Sequence, residues 1–523
     1  MAKLPKPPYV MGIDAGTSSI RAAIFDLKGK IVIFRDESYP LYTPSPGWAE
    51  QRPEDWWDAL CRASRRAIAD SGINPADIAG ISADTTSCTV VLLDNGMKPI
   101  RPAIMWMDVR ASAQAKKIKS TGHSALKYNG YNNVTPEWMP CKALWLKENE
   151  PANYDRAEHI VDCIDWMMYR LTGRLTASIN TVSARWYYDR RSGGWPHDFY
   201  DMIGLEDLIE KFPKDVLDMG SYAGRLSKAA AEDLGLVAGI PVGEGGADAY
   251  VGMLGLNVVE PGKMVMITGS SHAHLCLSNK EVHAPGIFGS YPDAIVPGLD
   301  LIEAGQVSTG SIVNWFKNNF CGDAAEAARQ KGCSLYKLLD DEAVKLPVGS
   351  EGLIVLDYFQ GNRTPYTDPD VRGIIYGLTL KHTPYHIFRA VIEGICYGTE
   401  NIFRNFDTAG LRPKEIYISG GAAKSRWWLQ AHADVSNVPV FIPEVSEAPC
   451  LGSAILGAVA AGAYGSVQEA AGKMVSYIDR VEPDLERHQQ YKFYADKYIE
   501  MYPLLKDWMH EVSSYKVNKL TIK

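Results

Sequence analysis

The chain has 523 residues, 46% of them hydrophobic and 22% charged, enough for more than one core and unlike a disordered, collagen-like or small disulfide-stapled protein. Its 54 Lys and Arg against 62 Asp and Glu leave a formal charge of −8, the wrong sign for a chain built to neutralise nucleic-acid phosphates. Nine scattered cysteines without a CxxC pair fit free thiols in a reducing cytosol, so a cytoplasmic protein is expected. The N-terminus has no apolar stretch long enough for a signal peptide. The longest uncharged run, Ala448 to Ser466, is rich in Gly and Ala and reads as a buried helix, not a membrane span.

From the N-terminus, Tyr9 to Asp14 is apolar and ends in the turn-rich Ala15-Gly16-Thr17-Ser18-Ser19. Ile20 to Phe25 and Ile31 to Phe34 follow, separated by Leu27-Lys28-Gly29-Lys30, which predicts antiparallel hairpins. Pro53 to Asp70 predicts a helix: Pro53 suits its first position, Glu54 and Asp55 its positive end, and Gly72 its stop. Ile78 to Ser82 resumes as a strand, so the chain opens β-β-β-α-β. Later, Ile240 to Gly246 leads into Ala247-Asp248-Ala249-Tyr250 and a helix-compatible Val251–Leu256. Lys263–Ile267, the turn Thr268-Gly269-Ser270-Ser271 and Ala273–Leu277 then repeat the opening hairpin. Two such hairpins suggest duplicated α/β domains, with a boundary near Leu254–Gly262; chance recurrence of Gly/Ser turns is the competing explanation.

Three glycine clusters could carry chemistry. Asp14 to Ser19 offers hydroxyls, close backbone approach and a carboxylate suited to Mg2+ through water. Thr268 to Ser271 offers a second phosphate cradle. Neither matches GxxxxGK[ST], and each alone reads equally as a hairpin turn. Ile416 to Ser425, with Gly420-Gly421-Ala422 after an apolar strand, would let backbone pass close to a nucleotide ring, or would only pack a strand on a helix. Asp248, at a glycine-flanked strand-to-helix turn, is either a general base or a helix N-cap. Trp48, Trp106-Met107-Asp108-Val109-Arg110 and Glu137-Trp138 mix flat apolar faces with polar groups, as polyol recognition requires.

Together these residues resemble the FGGY family of carbohydrate kinases, from about Tyr9 to Val512. Gly373-Ile-Ile-Tyr-Gly377-Leu378, seven residues, then His386-Ile-Phe-Arg389-Ala-Val-Ile-Glu393 fit the family's C-terminal signature. Cys141-Lys142-Ala143-Leu144-Trp145-Leu146 keeps the Lys and Trp of its first signature, with Ala143 where a larger apolar residue is usual. The resemblance implies an α/β protein of two actin-like (ribonuclease H-like) domains, 8–256 and 257–512, with a catalytic cleft between them. It implies phosphoryl transfer from ATP with Mg2+ to a small-molecule sugar or polyol hydroxyl, with no nucleic-acid or membrane partner.

Carried over by position, Asp14, Gly16, Thr17 and Ser18 form the first phosphate loop, and Thr268, Gly269 and Ser270 the second. Gly310, Gly420, Gly421 and Ala422 bind the nucleotide, Asp248 is the general base, and Asp14 and Asp248 hold the metal. Glu137-Trp138-Met139, Lys263 to Ser270, Glu303-Ala-Gly-Gln306 and Gly361-Asn-Arg363 are most similar to ribulokinases. That similarity implies sugar contacts at Asp84, Thr85, Trp138, Arg185, Asp248 and Glu303. Arg185 stands where those enzymes carry a lysine, and a planar fork in place of a point donor would alter sugar choice. The Arg-Glu pair by which glycerol kinases hold glycerol is replaced near Asp84-Thr85. Another polyol kinase or a non-catalytic actin-like sugar sensor are the alternative functions. Two-fold assemblies are the commonest, which points to a homodimer.

Overall fold

The computed structural model describes residues 6–130, 133–284 and 286–515. Residues 1–5, on which the reading of the N-terminus partly rests, lie outside them.

The first half is built around strands β1 (Tyr9–Ala15), β2 (Ser19–Asp26) and β3 (Ile31–Ser38), helix α1 (Pro53–Ser71) and strand β4 (Ile78–Thr85), in the expected order. Pro53 sits in the first turn of α1, and Gly72 caps it in the left-handed conformation. Helices α2 (Met139–Asn149) and α3 (Ile179–Arg185) follow, then β5 (Tyr222–Arg225), β6 (Pro241–Gly243) and α4 (Asp248–Gly255). The second half comprises β7 (Lys263–Thr268), β8 (His272–Ser278), β9 (Gly289–Pro292), β10 (Asp300–Gln306) and α5 (Gly310–Phe320). Helix α6 (Pro384–Asp407), β11 (Glu415–Gly420), α7 (Arg426–Ser436), β12 (Val440–Pro443), α8 (Ala448–Ala460), β13 (Tyr477–Val481) and α9 (Leu485–Ser514) complete it.

The duplication is real at the level of sheet topology. The first sheet runs β3-β2-β1-β4-β6-β5, and the second runs β10-β8-β7-β11-β12-β13, with β9 added at its edge. In each, three antiparallel strands lead into two parallel pairings and end on an antiparallel edge. In open α/β sheets ligands bind in the crevice outside the carboxyl ends of the parallel strands.

Two helices cross between the halves. Helix α4 follows the first sheet, yet its Val251 and Leu254 share a core with Val265, Leu275 and Leu277 of the second. Helix α8 connects β12 to β13 of the second sheet, yet packs against β1 and β4 of the first. That approach is backbone-close: a Cβ on Gly12 would collide with the Cys450 carbonyl of α8, and one on Gly80 with that of Gly457. Its residues Cys450, Leu451 and Ala454 to Ala458 are buried, as the uncharged run predicts. No helix among the described residues is long and apolar enough to cross a membrane.

Candidate active site

The β1–β2 turn is closed by the Gly16 N–H donating to the Ser19 carbonyl at 3.1 Å. Its carbonyls are engaged inside the protein: the Tyr39 hydroxyl donates to Gly16 O, and Gln51 Nε2 donates to Thr17 O at 2.8 Å. The Trp106 indole donates to Thr17 Oγ1 at 3.1 Å. With its carbonyls so engaged, the turn has its hydroxyls and the N–H groups of Thr17 and Ser18 to offer an anion.

The β7–β8 turn is the second cradle. Gly269 N–H donates to Ser271 O at 2.9 Å, and Ser270 O accepts from the N–H groups of Thr309 and Ser311 at 3.0 and 3.1 Å. Gly310 fits there because a Cβ would strike the Gly269 carbonyl. The Thr268 hydroxyl bridges to the third glycine cluster, donating to Ser419 O at 2.7 Å and accepting from Ala422 N–H at 3.0 Å. Thr268, Gly269, Gly310, Gly421 and Ala422 thus line one cavity of about 1230 Å³, walled by Phe388 and Trp427. It is roomy enough for a nucleotide, whose base would meet the aromatic wall.

Three carboxylates meet at the ends of parallel strands. Asp14 on β1 is the register partner of Asp84 on β4, and Gly246 pairs with Asp84 from the other side, which delivers Asp248 to the same place. Asp14 is ion-paired with Arg21, while Asp84 Oδ2 accepts from Ser453 of α8 at 2.7 Å. One oxygen of each, Oδ1, is buried without a hydrogen-bond partner. Burial first, and the charge of Asp14 second, push Asp248 up to about 7. The same two causes hold Asp84 well above the ordinary carboxylate range. Asp248 is not the N-cap. Ala247 takes that position, and Asp248 is the first helical residue, with its Oδ1 accepting from Ala249 N–H at 2.7 Å.

The other predicted group also assembles. Arg185 Nη2 donates to Glu303 Oε2 at 2.9 Å, and its guanidinium lies 5.1 Å from the centre of the Trp138 ring. Two tyrosines that sequence reasoning missed complete it: the Tyr250 and Tyr291 hydroxyls donate to the same Glu303 oxygen at 3.1 and 2.9 Å. Burial alone would raise Glu303, but the Arg185 charge and these bonds hold it below the usual range. Tyr250 lies two residues after Asp248 on α4, which links this group to the carboxylates. Asp84 and Thr85, at the end of β4, are wholly buried. Trp48, Asp108 and Arg110 form a closed internal network instead of an open face. Arg110 binds Asp108 at 2.7 Å and Glu50 at 2.8 Å, and its guanidinium stacks 3.7 Å over Trp48.

Residues 9–255 match the N-terminal domain, and 264–461 the C-terminal domain, of the FGGY family of carbohydrate kinases. The chain belongs to this family. It is 32% identical over 529 residues to the FGGY carbohydrate kinase domain-containing protein of Homo sapiens, covering 94% of this chain and 95% of that one. It is 32% identical over 502 residues to a ribulokinase of Anoxybacillus flavithermus, covering 89% of each. Among solved structures, a xylulose kinase from Rhodospirillum rubrum superposes with a TM-score of 0.85 at 26% identity, covering 96% of this chain and all 100% of that one.

The FGGY C-terminal signature has a visible task in this carbohydrate kinase. Its Arg389 and Glu393 form a buried pair at 2.8 Å on α6, and Arg389 lies 5.5 Å from the Trp427 ring in the wall of the large cavity. The tyrosines at 250 and 291 had no sequence signal of their own. Only their convergence on Glu303 from α4 and β9 gives them a role.

Proposed function

We propose that this FGGY kinase transfers the γ-phosphoryl group of ATP to a hydroxyl of a ketopentose, in the manner of a ribulokinase, with Asp248 as general base. The observation that carries this reading is the position of Asp248. It stands beside the carboxylates at the strand ends, on the same helix turn as Tyr250, with an affinity for protons matched to neutral pH. Its carboxylate would take the proton of the attacking hydroxyl while the turns at 16–18 and 268–270 hold phosphates. Gly420, Gly421 and Ala422 would carry the adenosine, the last two from the cavity they line with Phe388 and Trp427.

The donor chemistry fits Mg2+: Asp14 Oδ1 is a buried carboxylate oxygen without a partner, and hard cations take carboxylate oxygens with water and substrate phosphates. Asp14 and Asp248 would hold it, and it would supply charge neutralisation for the phosphates. Trp138, Arg185 and Glu303, with Tyr250 and Tyr291, would form the sugar wall. The Arg185 and Glu303 charges cancel at 2.9 Å, which suits a neutral sugar over a sugar acid. The division at 8–256 and 257–512 follows the two sheets, and a cytoplasmic location fits nine free thiols.

Purified protein assayed for ADP release against L- and D-ribulose, L- and D-xylulose, ribitol, erythritol and glycerol tests this. Turnover concentrated on one ketopentose is expected. Turnover with polyols alone would overturn the pentulose assignment, and sugar-independent ATP hydrolysis alone would favour a sensor.

A further inference from the structure

Lys142 of α2 is wholly buried, yet no carboxylate among the described residues binds its ammonium. Its Nζ donates to two main-chain carbonyls, those of Cys88 and of Met105 at 2.8 Å. Burial lowers its pKa, so the protein tolerates an unfavourable group there in return for those two bonds. The question is what the carbonyls belong to.

Cys88 sits in the turn just past β4, the strand that carries Asp84. Its φ is +60°, in the left-handed region that a side chain seldom adopts. The peptide is gripped on both sides: Lys142 takes its carbonyl, and its N–H donates to the buried Asp162 Oδ2 at 3.1 Å. The Arg185 guanidinium stands 5.1 Å from the ring of Trp138 at the start of α2, so the Arg185–Glu303 group rests on the helix that carries Lys142. Met105 precedes Trp106, whose indole donates to Thr17 Oγ1 of the first phosphate turn at 3.1 Å. Helix α2 itself begins at Trp138, its N-cap residue, one turn before Lys142.

One ammonium therefore joins three pieces: the helix whose Trp138 meets Arg185, the turn that follows the Asp84 strand, and the segment bonded to the first phosphate turn. We infer that Lys142 is a positioning residue for phosphoryl transfer, holding the sugar wall in register with the first phosphate turn through the Cys88 and Met105 carbonyls. This rests on the sugar-kinase reading of the site. It touches no substrate itself. Its loss should leave the nucleotide cavity, lined from β7, α6 and α7, unchanged, and should misplace the two reacting groups relative to one another.

The test is Lys142→Met and Lys142→Ala in the full-length protein, with wild type alongside, read by kinetics, ADP binding and hydrogen exchange. Lys142→Met should lower kcat with the best sugar by about 10²-fold, the scale of a roughly 1 Å misplacement, while ADP affinity stays at the wild-type value. Amide exchange should quicken together in residues 85–89 and 103–108. In Lys142→Ala, n-propylamine, which replaces the missing chain and amine, should restore part of kcat. Unchanged kcat, or exchange that quickens in neither segment, overturns the proposal. So does loss of ADP binding in step with kcat and no response to n-propylamine, which marks a general packing role. If wild type turns over none of the sugars, the ketopentose reading fails, and the exchange pattern still decides for or against the link made by Lys142.

Discussion

Asp14 and Asp84 face each other as register partners across the parallel pairing of β1 and β4, and both end with one buried oxygen that no group satisfies. Asp14 has Arg21 to balance it, whereas Asp84 has only the Ser453 hydroxyl. With Asp248 a third neighbour, the three carboxylates compete for charge, and the cost falls on Asp84 and Asp248.

That competition sets a pH profile. A base must be ionised to accept a proton, and Asp248 is ionised only above about 7. The kcat/KM for sugar should therefore climb about tenfold per pH unit below neutrality and level off above it. A profile already flat from pH 5 upward would show that no group of this affinity is needed.

The same charges bear on stability. The folded protein holds the Asp84 proton to higher pH than the unfolded chain does, so this group costs stability progressively as pH rises above the ordinary carboxylate range. Asp84→Asn removes that cost. Its midpoint of thermal unfolding should exceed wild type by more at pH 8 than at pH 5; an equal or reversed difference contradicts the assignment.

The Arg185–Glu303 pair offers a separate check. Arg185→Met leaves Glu303 buried without its counter-charge, and should cost about 3–5 kcal/mol in urea unfolding. Adding Glu303→Leu should recover most of that stability without recovering sugar turnover. Recovery of both would mean the pair only packs the interior.

Gly310 isolates the nucleotide side. Gly310→Ala drives a methyl into the Gly269 carbonyl, whereas Gly322→Ala, with open space around it, is the matched control. The KM for ATP should rise in the first variant and not in the second, with the KM for sugar unchanged in both.

Much of this was legible in local sequence. The hairpins around Gly16 and Gly269 and the helix that starts at Pro53 and stops before Gly72 follow from periodicity and turn chemistry, as does a buried helix from Ala448, which ends at Ala460 and not at Ser466. The position of Asp248 was legible and its helix position was not, because an Asp at a helix start reads as a cap unless the backbone is known. The exchange of α4 and α8 between the sheets could not be read, since nothing in a helix states which sheet it covers. Tyr250, Tyr291 and the two carbonyls on Lys142 are meetings of residues far apart in the chain. Within the Trp106–Arg110 motif the fold closes Asp108 and Arg110 on Trp48 and Glu50, while Trp106 stays partly exposed beside Thr17.

The most direct test of the account is Asp248→Asn, assayed for phosphoryl transfer to the preferred sugar and for ADP binding at pH 8. The amide keeps the size and one acceptor oxygen and loses only basicity. Turnover should fall by about 10²–10⁴-fold with nucleotide affinity retained. Turnover near that of wild type would contradict the assignment of Asp248 as the base.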